Sequence, residues 1–180
     1  MLNKVKFGKT KLLEPLVFVY HINWKLYENF GNSLVANIDN LFRVRGVTDF
    51  NIIPILTDNN TYMDNRVKQL KPQIERLCDS YNKKLHLISY SFTNLVVKNY
   101  ISAYNGEDYI SSVLTVGSPN KGCRLMDLLQ TFHNNDKFGF VEPSLRGIGL
   151  NLDWARREYN TAAINVFNKT NSLKNSIKVF

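Results

Sequence analysis

Cysteine and histidine are both scarce in this sequence, with two and three copies in 180 residues. Cys78 and Cys123 are too few to build a disulfide framework and fit a reducing compartment. The Asn-x-Thr sequons at Asn59 and Asn168 therefore carry little weight. Neither the cysteines nor His21, His86 and His133 fall at the spacing of a zinc site. No Gly-x-Gly-x-x-Gly and no P-loop is present, so no metal and no cofactor is expected. No apolar run approaches the length of a membrane helix. The N-terminus lacks an apolar h-region with a cleavage site, which argues against secretion. Without repeats, low-complexity blocks or a linker, residues 1–180 read as one domain.

What is plentiful is positive charge. The net charge is +8 and the sequence pI is about 9.5, a balance that favours anionic surroundings: acidic proteins, anionic lipid or nucleic acid. The cations are spread out, with Lys83-Lys84 and Arg156-Arg157 the only adjacent pairs. Aromatics are not interleaved with them as a nucleic-acid platform requires, so a solvated basic surface is the expectation. Asparagine is also abundant, 23 in all, which reads as compositional bias and discounts individual asparagines as ligands. Met1 to Lys11 carries four lysines and resembles an import sequence, although Lys4-Val5-Lys6-Phe7 alternates like a strand. An intracellular address is expected, mitochondrial in preference to cytoplasmic.

Short β-rich runs alternate with amphipathic helices. Leu16 to Tyr20 is a continuous apolar run, as in a strand buried on both faces. Tyr27 to Phe42 places Leu34, Val35, Ile38, Leu41 and Phe42 on one helical face. Phe50 to Leu56 is a second strand whose pairing Pro54 restricts. Thr61 to Tyr81 carries Val67, Leu70, Ile74, Leu77 and Cys78 at helical spacing, with Pro72 expected to kink or start the helix. A strand over 85–88, a helix over 92–104, a strand over 109–116 and a short helix over 124–132 follow. Residues 133–153 read as irregular, within a lid-like stretch of about 123–160. Residues 155–168 read as helix and 176–180 as a last strand. Such alternation predicts an α/β fold, a mostly parallel sheet with helices on both faces.

The informative segment is Leu85-His86-Leu87-Ile88-Ser89-Tyr90-Ser91-Phe92-Thr93-Asn94-Leu95: a buried strand, a sharp turn, and a helix. It resembles the nucleophile elbow of the triacylglycerol lipases and related esterases, members of the α/β-hydrolase superfamily, in which the strand ends in Gly-His-Ser-Met-Gly-Gly. Pro15 to Ile22 is similar to that family's first core strand, which ends in His-Gly and begins the oxyanion loop. Leu114 to Gly122 resembles its Gly-Thr-Pro-His-x-Gly turn, and Ala163 to Phe180 its return from the lid into another strand. The resemblance implies a lipase-like α/β-hydrolase fold, here truncated, over residues 12 to 180.

The same resemblance marks Ser91 as the nucleophile position and Ile22, Asn23 and Phe92 as the oxyanion positions, all expected to be vestigial. Thr93 stands where the family has a glycine. Its β-branched side chain should force the turn open and displace the Ser91 hydroxyl. Ile22 replaces the glycine of His-Gly, and loss of one oxyanion donor costs roughly 10²- to 10³-fold. The family's acid and histidine follow the nucleophile beyond later strands, past about Phe180 here. His21 belongs to the oxyanion segment, His133 falls in the lid region, and His86 is expected to be a core histidine with one hydrogen bond.

The leading expectation is a non-catalytic, lipase-like structural subunit of a larger assembly, such as a mitochondrial complex. Other protein subunits would cover the sheet edge and apolar face that truncation leaves open, with exposed tyrosines, Trp24 and Trp154 as candidate anchors, although buried core positions are the commoner role of such residues. Anionic lipid is a second partner class, and nucleic acid a less favoured one. The alternatives are a serine esterase whose histidine and acid come from another chain, and an RNA-associated component of a ribonucleoprotein.

Overall fold

The computed structural model describes residues 10–11, 14–22, 25–48, 52–58, 61–135, 139, 153–172 and 177–180. The strand-like alternation at Lys4–Phe7, the sequon at Asn59, Asn23, Trp24 and most of the irregular stretch 133–153 lie outside them, as do the side chains of His21 and Ile22.

Seven strands and six α-helices are described. In chain order they are β1 (Thr10–Lys11), β2 (Leu16–Ile22), α1 (Lys25–Val44), β3 (Val47–Thr48), β4 (Ile52–Asp58), α2 (Met63–Tyr81), β5 (Leu85–Tyr90), α3 (Thr93–Ala103), β6 (Ile110–Val116), α4 (Arg124–Asn134), α5 (Asp153–Glu158), α6 (Thr161–Thr170) and β7 (Lys178–Val179). The main sheet has the order β4-β2-β5-β6-β7, and every pair in it is parallel. This is the α/β architecture that the alternation predicts. β1 and β3 form a separate parallel pair.

Alternation along the strands sorts the core into two faces. Val17, Val19, Leu85, Leu87 and Val113 join α2 and α3 in the larger cluster. Leu16, Phe18, Tyr20 and Ile88 face the other way, against Val35, Ile38 and Phe42 of α1. Leu41, placed on the same helical face by the sequence, is 53% exposed. A register shift between β5 and β6 pairs Leu85 with Ile110 but His86 with Ser112. Ser111 is thus an extra residue that resets the alternation, and Ile110 and Val113, three apart, both enter the core. Pro54 is accommodated because β4 has only β2 beside it among the described residues.

Two helices differ from the sequence expectation. α2 begins at Met63 and runs through Pro72. Residues 155–168 are not one helix: α5 stops at Glu158, and Asn160 caps α6, its Oδ1 accepting from the Ala163 amide at 2.8 Å. The lid-like stretch is therefore bounded by the regular helices α4 and α5. Among the described residues no helix is long and apolar enough to cross a membrane.

Candidate active site

The sheet's connectivity points to the site before any side chain is considered. From β2 the chain moves outward to β4, then returns across β2 to β5 and continues the opposite way to β6 and β7. The helix after β2 covers one face and the helix after β5 the other. A crevice opens at such a switch point, beyond the carboxyl ends of the two strands, where doubly wound sheets place their ligands. Ser91 follows β5 there, and residues 21–22 end β2 beside it.

The turn at Ser91 is sharp. β5 ends at Tyr90, Ser91 takes φ +56°, and α3 starts at Thr93. A non-glycine residue in this left-handed region costs about 1–2 kcal/mol and persists only where its surroundings impose it. The Ser91 amide donates to the Val116 carbonyl at 2.8 Å, tying the turn to the end of β6. The expected opening of the elbow by Thr93 does not occur. Thr93 is fully buried in the first turn of α3. Strand and helix are instead joined by side chains: Ser89 Oγ donates to Asn94 Oδ1 at 2.9 Å.

Asn94 continues this network by donating from Nδ2 to Asn120 Oδ1 at 2.9 Å. That oxygen also accepts from Ser118 Oγ at 3.0 Å. Asn168 Nδ2 donates to the Asn120 carbonyl at 2.8 Å, while its Oδ1 accepts from Lys98 Nζ at 2.7 Å. Elbow, the loop after β6, and α6 are thus linked through asparagines that composition had discounted. Asn94 was detectable by position, since it stands at the last glycine of the Gly-His-Ser-Met-Gly-Gly pattern, directly after Thr93.

Phe92 is the N-cap of α3 in right-handed helical geometry, with its amide at the positive end of the helix. Its ring stacks on Tyr159 at 4.2 Å between centroids, and Tyr159 meets Trp154 edge-on at 5.5 Å. Beneath them lies Arg66, fully buried, which donates to the Tyr159 hydroxyl at 2.8 Å and to the Thr61 carbonyl at 2.9 Å. Its guanidinium lies 4.0 Å from the Trp154 ring centroid. Trp154 is therefore core, the commoner of the two roles the sequence allowed it, and not an exposed anchor. Only position hinted at Arg66, which falls on the apolar stripe of α2 between Met63, Val67 and Leu70.

The histidines with described side chains are engaged away from Ser91. His86 is half-buried rather than core, with two partners instead of one: Nδ1 contacts Ser112 Oγ at 2.8 Å and Nε2 lies 3.1 Å from Glu14. Five residues of extended strand put it roughly 16 Å from Ser91. His133 Nε2 lies 3.1 Å from Arg156 Nη2, which also contacts Asp153. The Ser91 hydroxyl makes no hydrogen bond among the described residues. His21 approaches by backbone: Val19 pairs with Ser89, and His21 and Ser91 each lie two residues further along. Among the described residues no group of three His, Cys, Asp or Glu could hold a metal.

No protein-family model and no curated protein matches the sequence. Solved structures do match. A lipase of Bacillus licheniformis in mature form superposes with a TM-score of 0.64 at 20% identity, covering 93% of this chain and 64% of that one. A metagenomic carboxyl esterase gives 0.63 at 13% identity, over 92% of this chain and 48% of the other. A phospholipase from Legionella pneumophila gives 0.60 at 12% identity, over 87% and 35%. The fold is that of an α/β-hydrolase of the lipase kind, and the chain spans less than two thirds of the length of each of these neighbours.

Proposed function

We propose that these 180 residues form a non-catalytic, lipase-like accessory subunit of a larger assembly, for which a mitochondrial complex is the favoured setting. One observation carries the reading. The Ser91 hydroxyl has no hydrogen-bond partner among the described residues, and His86 and His133 are both held elsewhere. A serine without a base to take its proton is a poor nucleophile.

The sheet supports a protein partner. Leu114 and Val116 of β6 and the adjoining Phe180 point to the α1 side of the sheet and are 43%, 39% and 68% exposed. Apolar rows of this kind are usually covered by something. Acidic proteins or anionic lipid would suit the net charge of +8.

A second reading has its own support. The φ of +56° at Ser91 is what an elbow requires, and His21 ends beside it on the neighbouring strand. An esterase completed by His21, or by a histidine and acid from another chain, would use this geometry.

The test is a fluorophosphonate probe with a short-chain ester assay on the isolated chain, followed by native purification. No label, no turnover and co-purifying subunits are expected. Labelling that Ser91→Ala removes would overturn the reading. Loss of that labelling in His21→Ala would name the base, and labelling only after native partners are restored would place it on another chain.

A further inference from the structure

On the α3 side of the sheet a cavity of about 130 Å³ opens between α3, β6 and β7. One end is polar, formed by Asn94, Lys98 and Asn120, and the rest is walled by Val97, Ile101, Val113 and Val179. The volume is on the order of an engineered apolar cavity that takes benzene, about 150 Å³. It has room for a ligand of a few carbons.

Lys98 gives the cavity its character. Its ammonium donates to Asn168 Oδ1 at 2.7 Å and sits 5.6 Å from the Phe167 ring centroid. Among the described residues no carboxylate lies within ion-pair distance of it. Partial burial holds its pKa below the usual lysine value, because the charge is partly withdrawn from water. One bond to Asn168 leaves two ammonium hydrogens uncommitted. The Asn94 and Asn168 amides each spend one hydrogen on the network, leaving one apiece.

We propose that this cavity binds a short aliphatic carboxylate, with its charged end on the Lys98 ammonium and its chain along Val97, Ile101, Val113 and Val179. The anion supplies the counter-charge that Lys98 lacks, and each methylene buried against the valines adds to affinity. The site does not use the Ser91 hydroxyl, so it stands whether or not the elbow is active.

Hexanoate, hexanol and acetate titrated into the full chain test this by calorimetry and by shifts of the valine and isoleucine methyl resonances. Hexanoate is expected to bind on the order of tenfold or more tightly than hexanol, from the charge-assisted hydrogen bond, and than acetate, from the chain. Lys98→Met should bring hexanoate down to the level of hexanol while leaving the fold intact by circular dichroism. Lys98→Gln guards against an effect of methionine alone and should do the same. Ser91→Ala should bind hexanoate as the parent does. The proposal is overturned if hexanoate does not bind, if hexanol equals it, if both Lys98 variants keep the carboxylate preference, or if Ser91→Ala abolishes binding.

Discussion

Ser89 Oγ donates to Asn94 Oδ1 at 2.9 Å across the turn that presents Ser91. The two residues stand where the resembling lipases have glycines, and both are buried, at 0% and 6% exposure. A side-chain bond thus does here what bare backbone contact does there. Asn94→Ala would leave the Ser89 hydroxyl without this acceptor and Asn120 without this donor. It should cost about 1–3 kcal/mol in urea denaturation. A double-mutant cycle with Ser89→Ala should return a coupling of roughly 0.5–3 kcal/mol. Additive losses would show that the two residues act independently.

Gly122 takes φ +91°, and a Cβ there would lie 2.5 Å from Thr161 Cα and 2.8 Å from its amide nitrogen. Both contacts are backbone, at the start of α6, so the neighbour cannot simply swing away. Gly122→Ala should cost about 2–4 kcal/mol, combining backbone strain with overpacking. Gly117 has φ +61° with nothing within 4 Å of the same atom. Gly117→Ala should lose only the backbone part, about 1–2 kcal/mol. Thermal melts of the two variants side by side read the difference, and equal losses would mean that contact with α6 contributes nothing.

Cys78 is buried, and its thiol donates to the Tyr109 carbonyl at 3.3 Å. Burial, then the charges of Asp79 and Glu75, push its pKa up to about 11. Only the thiolate reacts with disulfide reagents, so Cys78 should be inert in the native protein at mildly alkaline pH. Cys123 is only half-buried. Titration with a chromogenic disulfide should therefore show one fast thiol per chain, mapped to Cys123 by mass spectrometry, and a second after denaturation. A fast reaction at Cys78 would mean that α2 opens readily.

The elements were legible because their signal is local: an unbroken apolar run marked β2, and helical spacing marked α2 and α3. The elbow was legible as a motif, but its tolerance of Thr93 was not. A clash argued from one side chain omits what its neighbours do, and here Thr93 is buried while Ser89 and Asn94 close the contact. Asn94, Asn120 and Asn168 were hidden by an abundance of asparagine that says nothing about which ones meet. Arg66 and Tyr159 are separated by 93 residues, and Met63 and Glu158 by 95. No periodicity reports such a pair, and it is these contacts that decide for Trp154 between the core and the surface.

Glu158 closes the N-terminus of α2, which has no side-chain cap of its own. Both carboxylate oxygens accept from the Met63 amide, at 2.9 and 3.0 Å. Burial nevertheless raises the Glu158 pKa above its ordinary 4.5, outweighing the Met63 hydrogen bond and the Arg66 charge, which lower it. The sign follows from proton linkage. The folded state holds this proton more tightly than the unfolded chain, so folding is favoured most below pH 4.5, and that contribution is lost as pH rises through the folded value. Glu158→Gln removes the titration and keeps an oxygen able to accept from Met63. Denaturation midpoints of the two proteins across the mildly acidic range should converge or cross, the parent losing ground to Glu158→Gln as pH rises. A parent that gains ground instead would mean that capping α2 with a full negative charge outweighs the cost of burying it.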